Sequence, residues 1–363
     1  MDHFSVFTRL MLLGLGLSEE VPQELRDLLG GDEEQKTRCL KAVYQLSMEQ
    51  GFPSIVYDGL QKVFAQGNYT IEEDLNCEWF GTCLGAEMSY AAQENTLSYL
   101  ACFYRYYGME MMLLKGFGLC PLYPLPNHRP LGDIDIWLFG DLEKGDRLLE
   151  EKLGIPVEKD KEHHTVFTVN GIMVENHYEF LNLKSHRTNH LFHDALERLG
   201  RENPERVQVG RGELYLPSPT FNAIFLFRHL AQHYMGGGIN FRQLADWVLF
   251  LKRDASKVDW PMLIDLVKKS GCEPFYRAIM GLSVYFFGLR ADSLPAFERA
   301  PQWEDQVVQD ILMDNATVRG SKLSERLARF RHQRRKISLV IQESVLMTFI
   351  RTGLQSIKYN AKD

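Results

Sequence analysis

Two aspartates separated by one residue lie in a short apolar stretch of the sequence. Residues 132–136 read Gly-Asp-Ile-Asp-Ile, and this β-branched composition favours a strand. Because side chains alternate between the two faces of a strand, Asp133 and Asp135 are expected on one face and Ile134 and Ile136 on the other. Neighbouring like charges repel each other, whereas carboxylate oxygens and substrate phosphates together bind Mg²⁺ well. The pattern therefore predicts a Mg²⁺ site that also binds phosphate.

A hairpin further along the chain is expected to carry more polar groups. Asn170-Gly171 is a strong signal for a tight turn, and the return strand is predicted over residues 172–180. On that strand Glu175, His177 and Glu179 share one face. The hairpin therefore offers further carboxylates and an imidazole to a site on the same sheet.

These motifs resemble the nucleotidyltransferases of the DNA polymerase β superfamily. Within it, the chain is most similar to the uncharacterised nucleotidyltransferase-like family of bacteria. The resemblance is carried by Lys115-Gly116 after an apolar strand, a proline-rich loop with Arg129, the Asp-x-Asp of residues 133–135, the pair His163-His164, and the later residues Val174-Glu175-Asn176-His177. It covers most of the chain and is sharpest over residues 113–180.

The resemblance implies a transfer reaction that depends on Mg²⁺. A nucleoside monophosphate would pass from an NTP to a hydroxyl acceptor on a small molecule, a sugar or a protein. Asp133 and Asp135 would bind the metal ions, which neutralise the phosphate charge. Glu175 matches the third carboxylate, which helps to bind the second metal and to deprotonate the acceptor, and Glu179 is the alternative.

Four further residues are implied in nucleotide binding. Lys115, beside Gly116, could contact the phosphates, and Arg129 could pair with them through both arms of its guanidinium. His177 could orient Glu175 or donate to the substrate. The alternatives are a solvated position for each cation and a structural role for the histidine.

Two other classes of function stay open. Gly-Phe at residues 116–117, in place of the usual Gly-Gly or Gly-Ser, favours a non-catalytic binding or scaffold protein that retains the fold. A basic run over residues 326–336 favours a toxin-type transferase of a toxin–antitoxin pair. The net charge of −7 opposes tight binding to nucleic acid, so a nucleic-acid partner is not expected.

The surrounding patterns predict an α+β fold, with a small mixed sheet of nucleotidyltransferase type between two helical regions. Residues 1–108 form the N-terminal helical region, residues 109–216 the nucleotidyltransferase-like core, and residues 217–363 the helical C-terminal domain. A long helix is predicted over residues 71–107, with a break near residues 81–85.

One C-terminal helix is the best candidate for a wall of the cleft. The apolar helix of residues 221–234 directly follows the sheet region and carries His229 and His233 four residues apart. Packing or cleft lining is the favoured role of these histidines. Arg242 and Asp246, also four apart, are expected to form a helical ion pair, with a position at the rim of the cleft as the alternative.

The composition is ordinary for a soluble protein, with 45% hydrophobic and 25% charged residues. Six cysteines without CxxC or zinc spacing indicate reduced thiols in a cytoplasmic protein.

The apolar residues 10–17 are interpreted as an amphipathic helix, because acidic residues flank them where a signal peptide is basic. No apolar run reaches the roughly 20 residues that span a bilayer, so no membrane partner is expected. The oligomeric state is not specified by the sequence.

Overall fold

A six-stranded mixed sheet forms the centre of the computed structural model, which describes residues 1–159, 163–183, 186–314 and 332–341. The strands are β1 (Met112–Leu114), β2 (Ile134–Trp137), β3 (His164–Val169), β4 (Ile172–His177), β5 (Glu205–Val209) and β6 (Gly212–Leu216), in the spatial order β3-β4-β2-β1-β6-β5. β1 is antiparallel to β2 and parallel to β6, while β2 is parallel to β4. The prediction of an α+β fold with a mixed sheet is confirmed.

The β3–β4 hairpin forms at the predicted turn. Asn170 has φ +53° and Gly171 has φ +79°, the left-handed conformations that the tightest hairpin turns require at both central residues. β4 ends at His177, three residues earlier than predicted. Glu179 therefore lies beyond the strand and does not share its face with Glu175 through strand alternation.

Five helices precede the sheet: α1 (His3–Gly14), α2 (Gln23–Leu29), α3 (Glu33–Glu49), α4 (Pro53–Phe64) and α5 (Glu73–Tyr106). The predicted break in the long helix is wrong, because α5 is continuous through Gly81 and Gly85. A β-carbon at either glycine would meet nothing within 4 Å, so both positions lie on an open face. Each glycine weakens a helix by only about 1 kcal/mol, which the packing of a long helix overcomes.

In the described part of the chain after β2, the helices are α6 (Leu142–Leu148), α7 (Asn189–Arg201), α8 (Pro219–Met235), α9 (Phe241–Asp254), α10 (Trp260–Ser270), α11 (Glu273–Gly281) and α12 (Pro301–Asp314). Residues 332–340 are also helical. The basic run over residues 326–336 lies mostly outside the described residues, so its predicted role is not addressed by them.

The two faces of the sheet are covered differently. Ile134 and Ile136 point towards α5 and join its Leu97 and Leu100 in one apolar cluster. On the other face, Leu114 belongs to the larger core formed with the N- and C-terminal helices. The carboxylates predicted on the face opposite the isoleucines therefore lie towards the C-terminal helices.

The N-terminal helices pack directly against α9. The Phe4 and Phe241 rings lie 6.1 Å apart between centroids, and the Gln50 side chain accepts a hydrogen bond of 3.2 Å from the Phe241 amide. Lys252 donates to the Gly16 carbonyl oxygen at 2.8 Å. Both helical regions thus support the helices that face the sheet. No helix in the described parts of the chain is both long and apolar enough to cross a membrane.

Candidate metal centre and cleft

The strand register brings two of the predicted carboxylates side by side. Asp135 on β2 is paired with Glu175 on the parallel β4, so their side chains share a sheet face. Asp135, Glu175 and His177 each offer one ligand atom, and these atoms lie within 4.8 Å of one another. We expected Asp133, Asp135 and Glu175 to converge on adjacent strands; the structure places Asp135 beside Glu175 on adjacent strands, and a metal site at these carboxylates stays a prediction. Asp133 precedes β2, is partly exposed and lies at the edge of this group.

Asp135 is an almost fully buried carboxylate with one oxygen in use and one without a partner. Its side chain is 1% exposed, and Oδ1 lies 2.9 Å from both Lys115 Nζ and His177 Nε2. Burial opposes its ionisation, but Lys115 and then His177 lower the pKa of Asp135 to about 2. Oδ2 is buried without a hydrogen-bond partner among the described residues. A buried anionic oxygen without a donor is well suited to bind a cation.

The pKa of Glu175 is shifted upward, in the opposite direction to that of Asp135. Burial, followed by the charges of Asp135 and Asp133, raises its pKa above the ordinary value. Three carboxylates close enough to repel one another need positive charge to remain ionised together. A divalent cation between them would supply that charge.

Lys115 supplies part of the missing charge from the end of β1. Its backbone has φ +31°, which is uncommon for a residue with a side chain, and Gly116 follows at φ +49°. This turn aims the lysine at the carboxylates, where Asp135 and then Asp133 raise its pKa against the effect of burial. Lys115 and Gly116 both line a cleft between the sheet and the C-terminal helices, as the sequence led us to expect.

A cavity of about 100 Å³ lies between the sheet and the C-terminal helices. It is lined by Lys115, Gly116, Leu119, Arg129, Gly132, Asp133, Asp135, Leu226, His229, Leu230, Arg242, Gln243 and Asp246. Since α8 contributes Leu226, His229 and Leu230, the prediction that this helix walls the cleft is confirmed.

The two histidines of α8 form a hydrogen-bonded pair. His229 Nε2 and His233 Nε2 are 3.1 Å apart, with His229 facing the cavity and His233 on the exposed side. Burial, then Lys115, lowers the pKa of His229 well below its ordinary value. His229 thus lines the cleft, which agrees with the expected lining role.

Arg129 is already paired within the protein. Its Nε donates to Asp246 Oδ1 and its Nη2 to Oδ2, both at 2.8 Å, and the side chain is 2% exposed. Tyr123 also donates to Asp246 Oδ1 at 2.8 Å. The predicted ion pair between Arg242 and Asp246 is therefore wrong, because Asp246 binds an arginine that reaches it from the loop before β2. Through this pair Arg129 holds the loop to α9, and its predicted contact with phosphate stays a prediction.

Arg242 is the cation that our sequence interpretation undervalued. It lines the cavity, and neither an ion pair nor a hydrogen bond of its guanidinium is found in the described ranges. Burial, then the charge of Arg129, lowers its pKa from the ordinary value. An arginine that remains without a counter-ion in a cleft is available to an anionic ligand. The i,i+4 spacing of Arg242 and Asp246 did not reveal this role in the cleft, because such a spacing suggests a local ion pair.

His163 and His164, the histidine pair of the family resemblance, lie against His177. The His164 and His177 backbones are paired across the hairpin, so both rings lie on the face of Glu175. His163 directly precedes β3, and burial, then His177, lowers its pKa to about 3. Counting the register back from the Asn170-Gly171 turn would have placed His164 opposite His177.

Sequence comparison places the chain in a class of transferases. A family model described as "Uncharacterised nucleotidyltransferase" matches residues 39–288, well over half of the chain. The chain belongs to this uncharacterised nucleotidyltransferase family. A comparison with curated proteins finds no match.

Two solved structures are similar to parts of the fold. An antigenic nucleotidyltransferase-like protein from Paracoccidioides brasiliensis is 15% identical with a TM-score of 0.34, covering 54% of this chain and 92% of its own. The Megavirus polyadenylate synthase is 14% identical with a TM-score of 0.27, covering 62% of this chain and 50% of its own.

Proposed function

We propose that this protein is a Mg²⁺-dependent nucleotidyltransferase of the DNA polymerase β superfamily. It would move a nucleoside monophosphate from an NTP to a hydroxyl acceptor on a small molecule, a sugar or a protein. One observation carries the proposal: Asp135 Oδ2, which has no hydrogen-bond partner among the described residues, lies buried beside Glu175, on a cleft that also contains Lys115 and Arg242. Family membership supports the same class of reaction.

The donor set fits a hard divalent cation. Asp133, Asp135 and Glu175 would bind Mg²⁺ through carboxylate oxygens, and the orphaned Oδ2 is the atom that most needs such a ligand. When bound, Mg²⁺ neutralises the phosphate oxygens and stabilises charge that develops during transfer. His177 holds Oδ1 at 2.9 Å and so leaves Oδ2 for the metal. We therefore assign His177 to positioning Asp135 rather than to direct contact with the nucleotide.

Two cations would contact the triphosphate. Arg242 lines the cavity without an ion pair to any residue that the structure describes, and its planar guanidinium can bind two phosphate oxygens at once. Lys115 is paired with Asp135, and a divalent cation at that carboxylate would release its ammonium for phosphate. Arg129 is held by Asp246, so we assign it a structural role at the cleft.

The acceptor hydroxyl needs a group that takes up its proton. Glu175 is suited to this role because burial and its carboxylate neighbours raise its pKa above the ordinary value, which makes the carboxylate a stronger base. Leu226 and Leu230 of α8 would exclude water from the reacting phosphate.

All six cysteines are free thiols, which supports our prediction of a cytoplasmic location.

A non-catalytic nucleotide-binding protein is the second candidate. The observation that favours it is the Lys115–Asp135 ion pair of 2.9 Å, since a lysine already neutralises a carboxylate that a metal would need. In such a protein the ammonium would stay on Asp135, and nucleotide would bind equally well without Mg²⁺.

A thermal-shift screen of the four NTPs, with and without Mg²⁺, tests the proposal. We expect at least one NTP to raise the melting temperature of the wild-type protein only when Mg²⁺ is present. Asp133→Asn should abolish this shift, and it should retain the fold because Asp133 is partly exposed. Asp141→Asn, at an exposed aspartate outside the cavity, is the matched control. An equal shift in Asp133→Asn, or a shift independent of Mg²⁺, would refute the metal-dependent mechanism.

A further inference from the structure

Three imidazoles converge at the open end of the β3–β4 hairpin. One ring nitrogen of each of His163, His164 and His177 lies within 4.8 Å of one nitrogen of the other two. The ring centroids are 4.4 Å apart for His163 and His164, 5.7 Å for His163 and His177, and 5.4 Å for His164 and His177. We propose that this cluster is a second metal site, which binds a transition-metal cation of the Zn²⁺ type beside the carboxylate centre.

The backbone holds the three rings in place. His164 lies opposite His177 in the antiparallel register, which fixes both Cα positions. The His163 carbonyl oxygen accepts hydrogen bonds from the Tyr178 and Glu179 amides, at 3.2 and 3.1 Å. The chain that enters β3 is therefore tied to the chain that leaves β4. Ligands on such paired strands need little reorganisation to bind a metal.

The ligand atoms of this cluster, which are imidazole nitrogens, indicate which metal it would bind. Imidazole nitrogen suits Zn²⁺ and other late first-row divalent cations, whereas Mg²⁺ prefers oxygen. Three protein nitrogens with one open position make up a common tetrahedral Zn²⁺ site. The cluster therefore differs in chemistry from the oxygen-rich set of Asp133, Asp135 and Glu175, although the two sets are neighbours.

One ring atom argues against mere packing of the three rings. His163 Nδ1 is buried without a hydrogen-bond partner in the described part of the chain. A buried polar nitrogen without a partner is unfavourable unless some ligand satisfies it. A metal ion bound among the rings would accept its lone pair.

Carboxylates lie behind two of the imidazoles, as they do in many metal sites. Asp135 Oδ1 is 2.9 Å from His177 Nε2, and Glu175 Oε1 is 3.5 Å from His164 Nε2. The Asp135 carboxylate, within hydrogen-bond distance of His177, fixes the orientation of a ligating histidine and increases its basicity, and Glu175 adds negative charge close to His164. The two centres would therefore share Asp135 and Glu175 as neighbours. The histidine site does not depend on nucleotide transfer and would exist equally in a non-catalytic protein.

Metal titration of the untagged, chelator-treated full-length protein tests the site. We expect one equivalent of Zn²⁺ to bind, and Co²⁺ in its place to give the intense visible absorption of tetrahedral coordination. His163→Gln keeps a polar side chain of similar size but lacks the imidazole, and it should weaken Zn²⁺ binding at least about tenfold. His164→Gln should do the same. His3→Gln, at an exposed histidine of α1, is the matched control and should bind as the wild type does.

The two centres can be separated in the same experiment. Asp133→Asn should bind Zn²⁺ normally while it loses the Mg²⁺-dependent NTP shift, and His163→Gln should show the reverse pattern. Absence of Zn²⁺ binding in the wild type would overturn the proposal. Wild-type affinity in both His163→Gln and His164→Gln, or Zn²⁺ binding abolished only by Asp133→Asn, would also overturn it. Melting temperatures without metal establish that each variant is folded.

Discussion

Asp246→Asn should strongly destabilise the protein, although it changes only one carboxylate into an amide. Asp246 accepts three hydrogen bonds of 2.8 Å, two from the Arg129 guanidinium and one from the Tyr123 hydroxyl. Burial opposes the charge of Asp246, but Arg129 outweighs it and lowers the pKa. The amide would leave the Arg129 charge without its counter-ion at a position only 2% exposed. Breaking such a pair typically destabilises a protein by about 3–5 kcal/mol.

Urea unfolding at pH 7, followed by circular dichroism, measures this loss as a lower transition midpoint. Asp265→Asn is the control, since Asp265 is a half-exposed aspartate that forms an i,i+4 pair with Lys269, and it should change the free energy of unfolding by less than about 1 kcal/mol. The double variant Arg129→Met/Asp246→Leu should recover much of the stability, because it removes both buried charges. If Asp246→Asn lowered the free energy of unfolding by less than about 1 kcal/mol, Arg129 would not depend on Asp246 as its counter-ion and would be free to bind phosphate.

Two further predictions concern packing between the N-terminal helices and the pH dependence of the contact between His128 and Asp58 of α4. Gly59→Ala should destabilise the protein by about 3 kcal/mol or more, because the added carbon would lie 1.9 Å from the Leu10 carbonyl oxygen in the α1–α4 contact. Gly85→Ala, which enters open space, should instead gain up to about 1 kcal/mol in the same unfolding assay, and equal effects would contradict the close helix contact. His128 is hydrogen-bonded to Asp58 at 2.8 Å, which raises its pKa despite burial. The stabilisation from this raised pKa is complete below the unfolded value of about 6.5 and disappears as the pH rises through the folded value, so His128→Gln should flatten the pH dependence of stability above about pH 6.5. If His128→Gln kept the wild-type slope of stability against pH, His128 would be excluded as the source of that slope.

The parts of the site that could be predicted are those that follow from the alternation of apolar and polar residues within one strand. Ile134 and Ile136 between the aspartates defined the buried face, and the Asn170-Gly171 turn defined the register of β4. Together they predict which strand face carries Asp135 and which carries Glu175, whereas the parallel pairing of β2 with β4 that places the two side by side joins residues far apart in the sequence. The β5–β6 hairpin carries the same kind of signal, because apolar Val207, Val209 and Leu214 alternate with polar residues around a glycine turn. We did not use that signal, and the hairpin was therefore missed.

The parts that were not predictable depend on contacts between residues far apart in the sequence. Arg129 and Asp246 are separated by 117 positions, and nothing in the neighbourhood of either one indicates the other. The i,i+4 spacing of Arg242 and Asp246 suggested a local pair that the fold does not form. The role of Arg242 in the cleft is therefore visible only in three dimensions.

The most direct test of the nucleotide site is the position of its metal. Crystals grown with Mn²⁺ and a non-hydrolysable NTP would reveal the cation through its anomalous scattering. We expect a peak within coordination distance of Asp135 Oδ2 and an oxygen of Glu175, with the triphosphate extending towards Arg242. Repeating the measurement with Zn²⁺ should add a separate peak among His163, His164 and His177. A well-ordered nucleotide bound away from Asp135, without a Mn²⁺ peak at the carboxylates, would contradict the proposed site.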